Sequence, residues 1–433
     1  MESYIISKEI IKPSSPTPHH LKTYKLSLID QLSLDNCYGF LLFYPKVDKN
    51  ISDHLKKSLS KALTIFYPFA GRVQDDFLID CDDSGVSFVE AHVAINMSEV
   101  LRKPEMNILE ILLPCNPNKM VSTTRVNFAF QLNYFDCGGA AICVSLRHVI
   151  ADGSALANFL KTWAAIARGS SVDNIKDVIF DCASIFPPNE LATNVMRNTN
   201  EKRRSINCIT KRFTFDGTKI AALREKIKSK YKLYCPTRFE IVTALIWGAL
   251  ISMARQSGDA ASPLMVIPLN VRKRMNPPIP QQCIGNVIYW VAGNWLDNEE
   301  IDYSSLANKI HQLVEMVNDD DVRKYYNGDG LANQLSKESE EFINDATKLN
   351  VFSVSSLCGL PFYEADFGWG KPTWASIYLK TNNVASLVDS SDGKGVEAWV
   401  GLSKKDMAKF ERDLGILTCS SFDPIAIHAQ SKL

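Results

Sequence analysis

Hydrophobic residues recur along this chain with two different periods, and each period predicts a different kind of element. Apolar side chains at Leu55, Leu59 and Leu63 return every four positions. This spacing predicts an amphipathic helix over Ser52–Phe66, with Ser52 as its cap. Four further helices are predicted in the same way, over Ser154–Ala167, Thr237–Ala254, Tyr303–Val317 and Lys404–Leu414.

Short runs of aromatic and β-branched residues, or alternation of apolar and polar residues, predict strands. Residues 125–132 alternate with period two and fit a half-buried strand, whereas residues 140–146 are mostly apolar and fit a buried one. Strands and helices interleave in both halves of the chain, so the sequence predicts an α/β protein built from two layered units. The remaining predicted strands are residues 4–6, 39–44, 77–79, 86–89, 211–215 and 264–269.

A polar stretch separates the two halves. The chain has 433 residues, which is enough for two or three hydrophobic cores. From Phe186 to about Arg204 the composition turns to Asn, Arg, Lys and Glu, as in an exposed connection between domains. We therefore predict an N-terminal domain of residues 1–185, a crossover linker of residues 186–210 and a C-terminal domain of residues 211–433.

Composition narrows the classes of protein that fit. Lysine plus arginine number 48, as do aspartate plus glutamate, so we expect no nucleic-acid partner and no attraction to an anionic membrane. The longest apolar run, Thr243–Ala254, is too short to cross a bilayer, and the first residues do not resemble a signal peptide. The eleven cysteines are scattered without a C-x-x-C pair, which indicates reduced thiols and no zinc site. We therefore expect a cytoplasmic protein without a metal ion.

One histidine stands out as a candidate for chemistry. Of the seven histidines, only His148 is followed four residues later by an aspartate, Asp152, and then by Gly153. It lies where a predicted buried strand gives way to a loop before a helix, and its ordinary pKa suits a general base. A glycine close to it lets a substrate approach the backbone. The alternative is a buried structural histidine, with Asp152 capping the helix, and the local sequence leaves both interpretations open.

A second motif, Asp366-Phe367-Gly368-Trp369-Gly370, lies near the C-terminus. Together with H-x-x-x-D-G at residues 148–153 it resembles the plant BAHD acyltransferase family, in which the two motifs occur in this order and separation. Asp-Phe-Gly also occurs in protein kinases, but the His-Arg-Asp loop and the glycine-rich loop that accompany it there are absent from this sequence. Further segments are similar to the same family over essentially the full length: Pro13–Pro18, Leu59–Arg72, Phe135–Gly139, Asn270–Arg272, Gly285–Asn286 and Gly395–Trp399.

The resemblance implies a fold and a mechanism. The fold would be two similar domains like chloramphenicol acetyltransferase, each a mixed β-sheet with flanking helices, with an active-site channel between them. His148 would deprotonate an acceptor hydroxyl, which then attacks an acyl-CoA thioester directly in a ternary complex. Asp152 would point away from the reaction and pair with Arg272. Asp366, Phe367, Gly368, Trp369 and Gly370 would form a structural loop.

The resemblance also suggests how the co-substrate is held. Acyl-CoA, with acetyl-CoA preferred, would be bound only during turnover, and no permanently bound cofactor is expected. Ser355 and Ser356 are candidates for contact with CoA, and the amide of Asn286 is a candidate donor to the oxyanion. Leu357 departs from the Trp that the family often has there, which would change the shape of the acyl pocket. Peptide-synthetase condensation domains share this fold and have two adjacent histidines at the start of the motif. Here Arg147 stands in the first of these two positions, which argues against membership of that group.

The acceptor is the least specified part of the prediction. The pattern from Ile11–Pro18 to Leu28–Gln31 looks like the branch of the family that acylates alkaloid, acylsugar and terpenoid alcohols with acetyl or short branched acyl groups. We expect a monomer that binds a small-molecule alcohol of specialised metabolism. Two alternatives stay open: a hydroxycinnamoyl-CoA donor, and a non-catalytic relative that binds metabolites or partner proteins.

Overall fold

The structure is a computed structural model that describes most of the chain. The predicted linker falls largely outside the described residues. The described residues are 2–33, 37–48, 50–116, 126–171, 178–190, 208–231, 234–258, 262–296, 299–327 and 351–421.

Two mixed sheets and one small sheet are formed by these residues. The first sheet has six strands in the order β1-β6-β7-β8-β3-β13, and the second has seven in the order β11-β10-β12-β14-β15-β9-β16. Strands β2, β5 and β4 form the small sheet. The strands are β1 (Ser3–Ile11), β2 (Thr23–Lys25), β3 (Cys37–Tyr44), β4 (Arg72–Val73), β5 (Leu78–Asp80), β6 (Val86–Val93), β7 (Phe128–Phe135), β8 (Ala140–Arg147), β9 (Cys208–Phe215), β10 (Leu264–Asn270), β11 (Ile288–Gly293), β12 (Val351–Ser356), β13 (Trp374–Tyr378), β14 (Val384–Asp389), β15 (Val396–Ser403) and β16 (Ser420–Ser421).

The helices begin and end where local chemistry requires it. The helix Arg238–Ser257 has a reciprocal cap between Thr237 and Glu240, and it ends at Gly258, whose φ is 72°. The helix predicted to begin at Ser52 instead begins at Ile51 after Asn50. The helices are α1 (Leu28–Gln31), α2 (Ile51–Ile65), α3 (Met97–Arg102), α4 (Met106–Ile111), α5 (Gly153–Ala167), α6 (Cys182–Ile185), α7 (Gly217–Lys230), α8 (Arg238–Ser257), α9 (Tyr303–Glu315), α10 (Asp319–Asn327), α11 (Lys404–Phe410) and α12 (Leu414–Cys419).

The boundary predicted at residue 211 does not describe the packing of the two halves. Strand β13, from the C-terminal half, pairs antiparallel with β3 and forms an edge of the N-terminal sheet. In the other direction, Leu28 and Phe186 pack into the hydrophobic core of the C-terminal half. Residues 208–210 of the predicted linker already belong to β9. Each half is therefore completed by segments that lie beyond the predicted boundaries.

Three buried clusters form the core. One lies under the second sheet around α8, and one lies under the first sheet around α2 and α5. The third lies between the two sheets, where Trp374 and Trp399 are fully buried. Trp374 Nε1 donates to Glu397 Oε2 at 2.9 Å, so strands of the two sheets are also joined by a polar contact. Over the described ranges, no helix is long and apolar enough to cross a membrane.

Candidate active site

His148 follows directly after β8, at the junction between the two halves. The residue is half-buried, and its Nδ1 atom is buried. The ring of Tyr38 lies edge-on to the imidazole, with 5.0 Å between centroids. Burial lowers the pKa of His148 below its ordinary value, and the shift is opposed by its own carbonyl, by Asp152 and by the Asn286 side chain. The imidazole is therefore favoured in its neutral form, which a general base requires.

Asp152 forms a buried ion pair with Arg272 of the C-terminal half, as the resemblance implied. Arg272 Nη1 lies 2.7 Å from Asp152 Oδ2, and Nη2 lies 3.2 Å from Oδ1. Asp152 is 4% exposed and Arg272 is not exposed at all. The same carboxylate caps α5 by accepting from Ala155 N at 2.9 Å. The capping role and the ion-pair role are thus both present.

Residues 283–287 bind the other side of this ion pair. Arg272 Nη2 donates to the carbonyls of Cys283 and Gly285, both at 3.1 Å. Val287 N donates to Asp152 Oδ2 at 3.1 Å, and Ala151 forms a parallel bridge with Gly285. Because Arg272 and the backbone of Val287, both in the C-terminal half, donate to Asp152, the loop that carries His148 is fixed to the opposite half.

The structure gives Asn286 a role other than the predicted one. The side chain is not exposed, and Nδ2 donates both to Asp30 Oδ1 at 2.8 Å and to the carbonyl of His148 at 2.7 Å. A side-chain amide has two N–H donors, so none is left for an oxyanion. The prediction that Asn286 supplies the oxyanion donor does not fit this geometry.

Asp30 was missed by the sequence analysis. It lies in α1, is not exposed, and accepts hydrogen bonds from the backbone and side chain of both Ser27 and Asn286. Burial raises its pKa to about 6, and these hydrogen bonds oppose the rise. The local signal was Ser27-x-x-Asp30, which predicts a capping box, but this pattern does not reveal the distant partner.

Gly153 is packed tightly against Leu357, the residue at which the chain departs from the family pattern. A Cβ atom placed on Gly153 would lie 2.4 Å from Leu357 Cδ2 and 3.4 Å from Leu360 Cδ1. The first distance is well below van der Waals contact, so the site accommodates only a glycine without movement of Leu357. Gly153 therefore brings the segment that follows β12 against the first turn of α5.

Ser355 and Ser356 lie at the end of β12, directly before Leu357, and both are half-buried. Ser355 Oγ lies 2.9 Å from Ser386 Oγ, and Ser356 Oγ accepts from Cys358 N at 3.2 Å. These contacts are within the second sheet and its following turn. The serines are close in sequence to Leu357, but the contact with CoA stays a prediction.

The loop Asp366–Gly370 packs on the N-terminal half. Asp366 Oδ1 accepts from the backbone of Gly368 at 2.8 Å and of Gly370 at 3.0 Å, and both glycines have positive φ values of 117° and 104°. Phe367 is not exposed and meets the ring of Trp163 at 4.8 Å, while it stacks on Trp369 at 5.7 Å. These contacts fit the structural role that the sequence analysis gave to the loop.

Comparison with known proteins identifies the family. The profile of the Transferase family matches residues 2–416. The chain belongs to this family, the plant BAHD acyltransferases. It is 46% identical to limonoid 1-O-acetyltransferase of Citrus sinensis, over 98% of this chain and 99% of that protein. It is 36% identical to vinorine synthase of Rauvolfia serpentina, over 96% and 98% of the two chains.

The fold of the BAHD chain agrees with that relationship. The crystal structure of vinorine synthase superposes with a TM-score of 0.83 and 34% identity, covering 98% of this chain and 99% of that one. The predicted α/β class with two mixed sheets is thereby confirmed. The chain is an acyl-CoA-dependent O-acyltransferase, as the two sequence motifs indicated.

Proposed function

We propose that this enzyme transfers an acetyl group from acetyl-CoA to a hydroxyl group of a limonoid-type alcohol, with His148 as the general base. The observation that supports the base is the position of His148, a half-buried residue directly after β8 whose Nδ1 is buried. Because Nδ1 is buried, Nε2 would be the ring nitrogen that takes the proton. The neutral imidazole favoured by the lowered pKa can accept a proton there.

The reaction would proceed in a ternary complex. Nε2 of His148 takes the proton of the acceptor hydroxyl as its oxygen attacks the thioester carbonyl of acetyl-CoA. The tetrahedral intermediate then collapses, the carbon–sulfur bond breaks, and the leaving thiolate takes the proton from His148. An ester and free CoA are formed, and the histidine returns to its neutral state. The ion pair of Asp152 with Arg272 would hold the loop through these steps without exchanging protons.

The donor and the acceptor are proposed from the relatives. Limonoid 1-O-acetyltransferase and vinorine synthase cover nearly all of the chain, at 46% and 36% identity respectively. The higher identity favours a limonoid, an oxygenated terpenoid, over an alkaloid as the acceptor. An acetyltransferase name supports acetyl-CoA as the donor. Ser355 and Ser356 would line the CoA side of the site, next to Leu357.

Purified enzyme incubated with matched pairs of donors and acceptors tests this proposal. Acetyl-CoA and p-coumaroyl-CoA are each offered with a limonoid alcohol and with an alkaloid alcohol, and the esters are measured by mass spectrometry. We expect the highest kcat/KM for acetyl-CoA with the limonoid. Preference for the aromatic donor would overturn the donor assignment, and preference for the alkaloid would overturn the acceptor. No transfer with any pair would favour a non-catalytic relative.

A pair of histidine variants tests the base. His148→Gln is expected to lower kcat by about 10²- to 10⁴-fold while thermal unfolding stays close to that of the parent. His20→Gln, at an exposed histidine, is the matched control and should retain the activity of the parent. Near-full activity of His148→Gln would contradict the proposed mechanism.

We also propose that the enzyme acts as a cytoplasmic monomer without a resident metal ion. The balanced charge of the chain supports the absence of a membrane or nucleic-acid partner. Light scattering coupled to gel filtration is expected to give the mass of one chain, 48.4 kDa. Activity is expected to survive treatment with a chelator, and a loss restored by a metal ion would contradict the proposal.

A further inference from the structure

Two buried thiols lie in contact beside the ion pair of Asp152 with Arg272. The sulfur atoms of Cys182 and Cys283 are 3.0 Å apart, and neither residue is exposed to solvent. Both cysteines are free, and Cys182 Sγ also lies 3.1 Å from the carbonyl oxygen of Ile284. The two residues are 101 positions apart in the chain, so their spacing in the sequence does not indicate the contact. The fold thus creates a pair of thiols that are close enough to react with each other.

The backbone on both sides holds this pair in place. Ile179 forms a parallel bridge with Cys283, and Ile284 N donates to the carbonyl of Ile179 at 2.9 Å. Cys182 follows shortly after Ile179 as the first residue of α6. Because the backbone around residue 179 is hydrogen-bonded to the backbone around residue 283, the two thiols face each other in the folded state without any change of conformation.

Two neighbours make Cys283 the more reactive of the two thiols. A thiol that is buried among apolar groups is inert, because burial disfavours the thiolate. The hydrogen bond from Cys182 and the positive charge of Arg272 oppose this effect and lower the pKa of Cys283. The thiolate is the form of cysteine that attacks an oxidant. Cys283 is therefore suited to react first, and Cys182 is placed to react with the product.

We propose that Cys182 and Cys283 form a redox modification site, at which a peroxide produces a reversible disulfide that lowers the rate of acyl transfer. In a reducing compartment such a disulfide is transient, and its formation reports oxidising conditions. The proposal concerns the acyl transfer reaction as a whole, and it depends neither on the identity of the acceptor nor on the role of His148.

The chemistry takes two steps. The Cys283 thiolate attacks one oxygen of the peroxide, the oxygen–oxygen bond breaks, and a sulfenic acid and water are formed. The Cys182 sulfur then attacks the sulfenic sulfur, the sulfur–sulfur bond forms, and a second water leaves with the proton of the Cys182 thiol. Two thiols and one hydrogen peroxide thus become one disulfide and two molecules of water. A reducing thiol restores both cysteines by thiol–disulfide exchange.

The disulfide would act on the active site through Arg272. A sulfur–sulfur bond is about 2.0 Å long, so the present gap of 3.0 Å closes by about 1 Å. The carbonyls of Cys283 and Gly285 both accept from Arg272 Nη2 at 3.1 Å, so a movement of this segment displaces the guanidinium that binds Asp152. A misplacement of about 1 Å can lower a rate by about 10²-fold. We therefore expect kcat to fall by roughly 10- to 100-fold in the oxidised enzyme.

Peptide mapping tests the modification itself. Reduced enzyme is treated with hydrogen peroxide, the remaining thiols are alkylated in denaturant, and the protein is digested without reductant for mass spectrometry. We expect one linked pair of peptides that contains Cys182 and Cys283 and that separates with dithiothreitol. If the exposed Cys137 and Cys235 are oxidised while this linked pair is absent, the proposal is overturned.

Activity measurements test the consequence of the disulfide. In the parent, the fraction of linked peptide and the fraction of activity lost should rise together, and dithiothreitol should reverse both. Cys283→Ser lacks the attacking thiol and is expected to keep its activity through the treatment. Cys235→Ser, at an exposed cysteine, is the matched control and should stay as sensitive as the parent.

The parent alone keeps the proposal falsifiable if Cys283→Ser does not fold. Full activity of enzyme that carries the linked peptides would overturn the effect on acyl transfer. An equal and reversible loss of activity in Cys283→Ser and the parent would assign the sensitivity to another group and would also overturn the proposal.

Discussion

The segment 148–153 and the loop Asp366–Gly370 both stand out in the sequence, yet the fold holds them by different forces. The first is fixed by charged and amide groups from the opposite half, with Arg272 paired to Asp152 at 2.7 Å and Asn286 bound to the carbonyl of His148. The second is fixed by aromatic packing, with Phe367 against Trp163 and Trp369. The polar contacts of the segment 148–153 fix the orientation of its backbone and side chains. The aromatic rings around Phe367 mainly stabilise the loop by close packing.

This difference predicts opposite sensitivities. A substitution in the segment 148–153 that keeps the shape of a side chain but changes its charge or hydrogen-bonding atoms should lower stability strongly. The reason is that it leaves a buried group without its partner. The loop Asp366–Gly370 should instead respond to lost volume, because its central side chain is buried among rings. Four substitutions test this contrast, from the largest expected effect to the smallest.

Asp152→Asn changes almost no volume but leaves the Arg272 guanidinium buried without its counter-charge. We expect the free energy of unfolding to fall by about 3–5 kcal/mol, together with kcat. Chemical denaturation and steady-state kinetics measure the two losses. Lys161→Gln breaks the exposed ion pair with Glu364 and serves as a control with a small effect. Equal stability of Asp152→Asn and the parent would contradict the importance of the buried pair.

Asp30→Asn is expected to change the dependence of stability on pH. Burial raises the pKa of Asp30 from its ordinary 3.8 to about 6, so the folded state binds this proton more tightly than the unfolded state. The parent should therefore lose about 3 kcal/mol of stability relative to the variant as pH rises from about 4 to 6. Denaturation curves of both proteins across this range give the difference. Parallel pH profiles would contradict the raised pKa.

Gly153→Ala tests the tight contact with Leu357. The added methyl group lies 2.4 Å from Leu357 Cδ2, so we expect a loss of about 1–3 kcal/mol from overpacking. Leu357→Ala in the same chain should recover part of this loss, and a double-mutant cycle measures the coupling. Additive losses would show that the two residues do not contact each other.

Phe367→Leu removes part of a buried ring from the loop Asp366–Gly370. We expect a loss of roughly 1–2 kcal/mol in the free energy of unfolding, since the surrounding rings can close over the smaller side chain. The fall in kcat should be much smaller than in Asp152→Asn, because the segment 148–153 keeps its polar contacts. If kcat fell as far as in that variant, the two regions would not be held independently.

The sequence predicted much of the fold because many signals are local. The apolar face of α5 and its cap at Asp152 lie within one short segment, and the predicted helix agrees with Gly153–Ala167 to one residue. Strand β10 was predicted over 264–269 and extends over Leu264–Asn270. The pairing of Asp152 with Arg272 followed from the family resemblance and not from any local pattern.

The parts that were not predicted depend on contacts between distant residues. Strand β13 is buried on both faces and five residues long, so it shows no alternation, and nothing local assigns it to the N-terminal sheet. Asp30 and Asn286 are 256 positions apart, and the pattern around Asp30 indicates only a helix cap. The sequence shows only that Asn286 carries an amide that can donate hydrogen bonds. Its role depends on the acceptors that this amide binds in the fold, Asp30 Oδ1 and the carbonyl of His148.

The strand exchange at β13 has a consequence for synthesis and for protein engineering. The edge of β3 has no partner until residues 374–378 have been translated, so the N-terminal half carries an open strand during most of the time on the ribosome. A fragment that ends at residue 185 would keep that open edge and is prone to aggregate. In chimeras between two such enzymes, residues 361–378 should therefore come from the same parent as the N-terminal half. A single crossover between the two halves would place β13 of one parent in a sheet whose other strands come from the other parent.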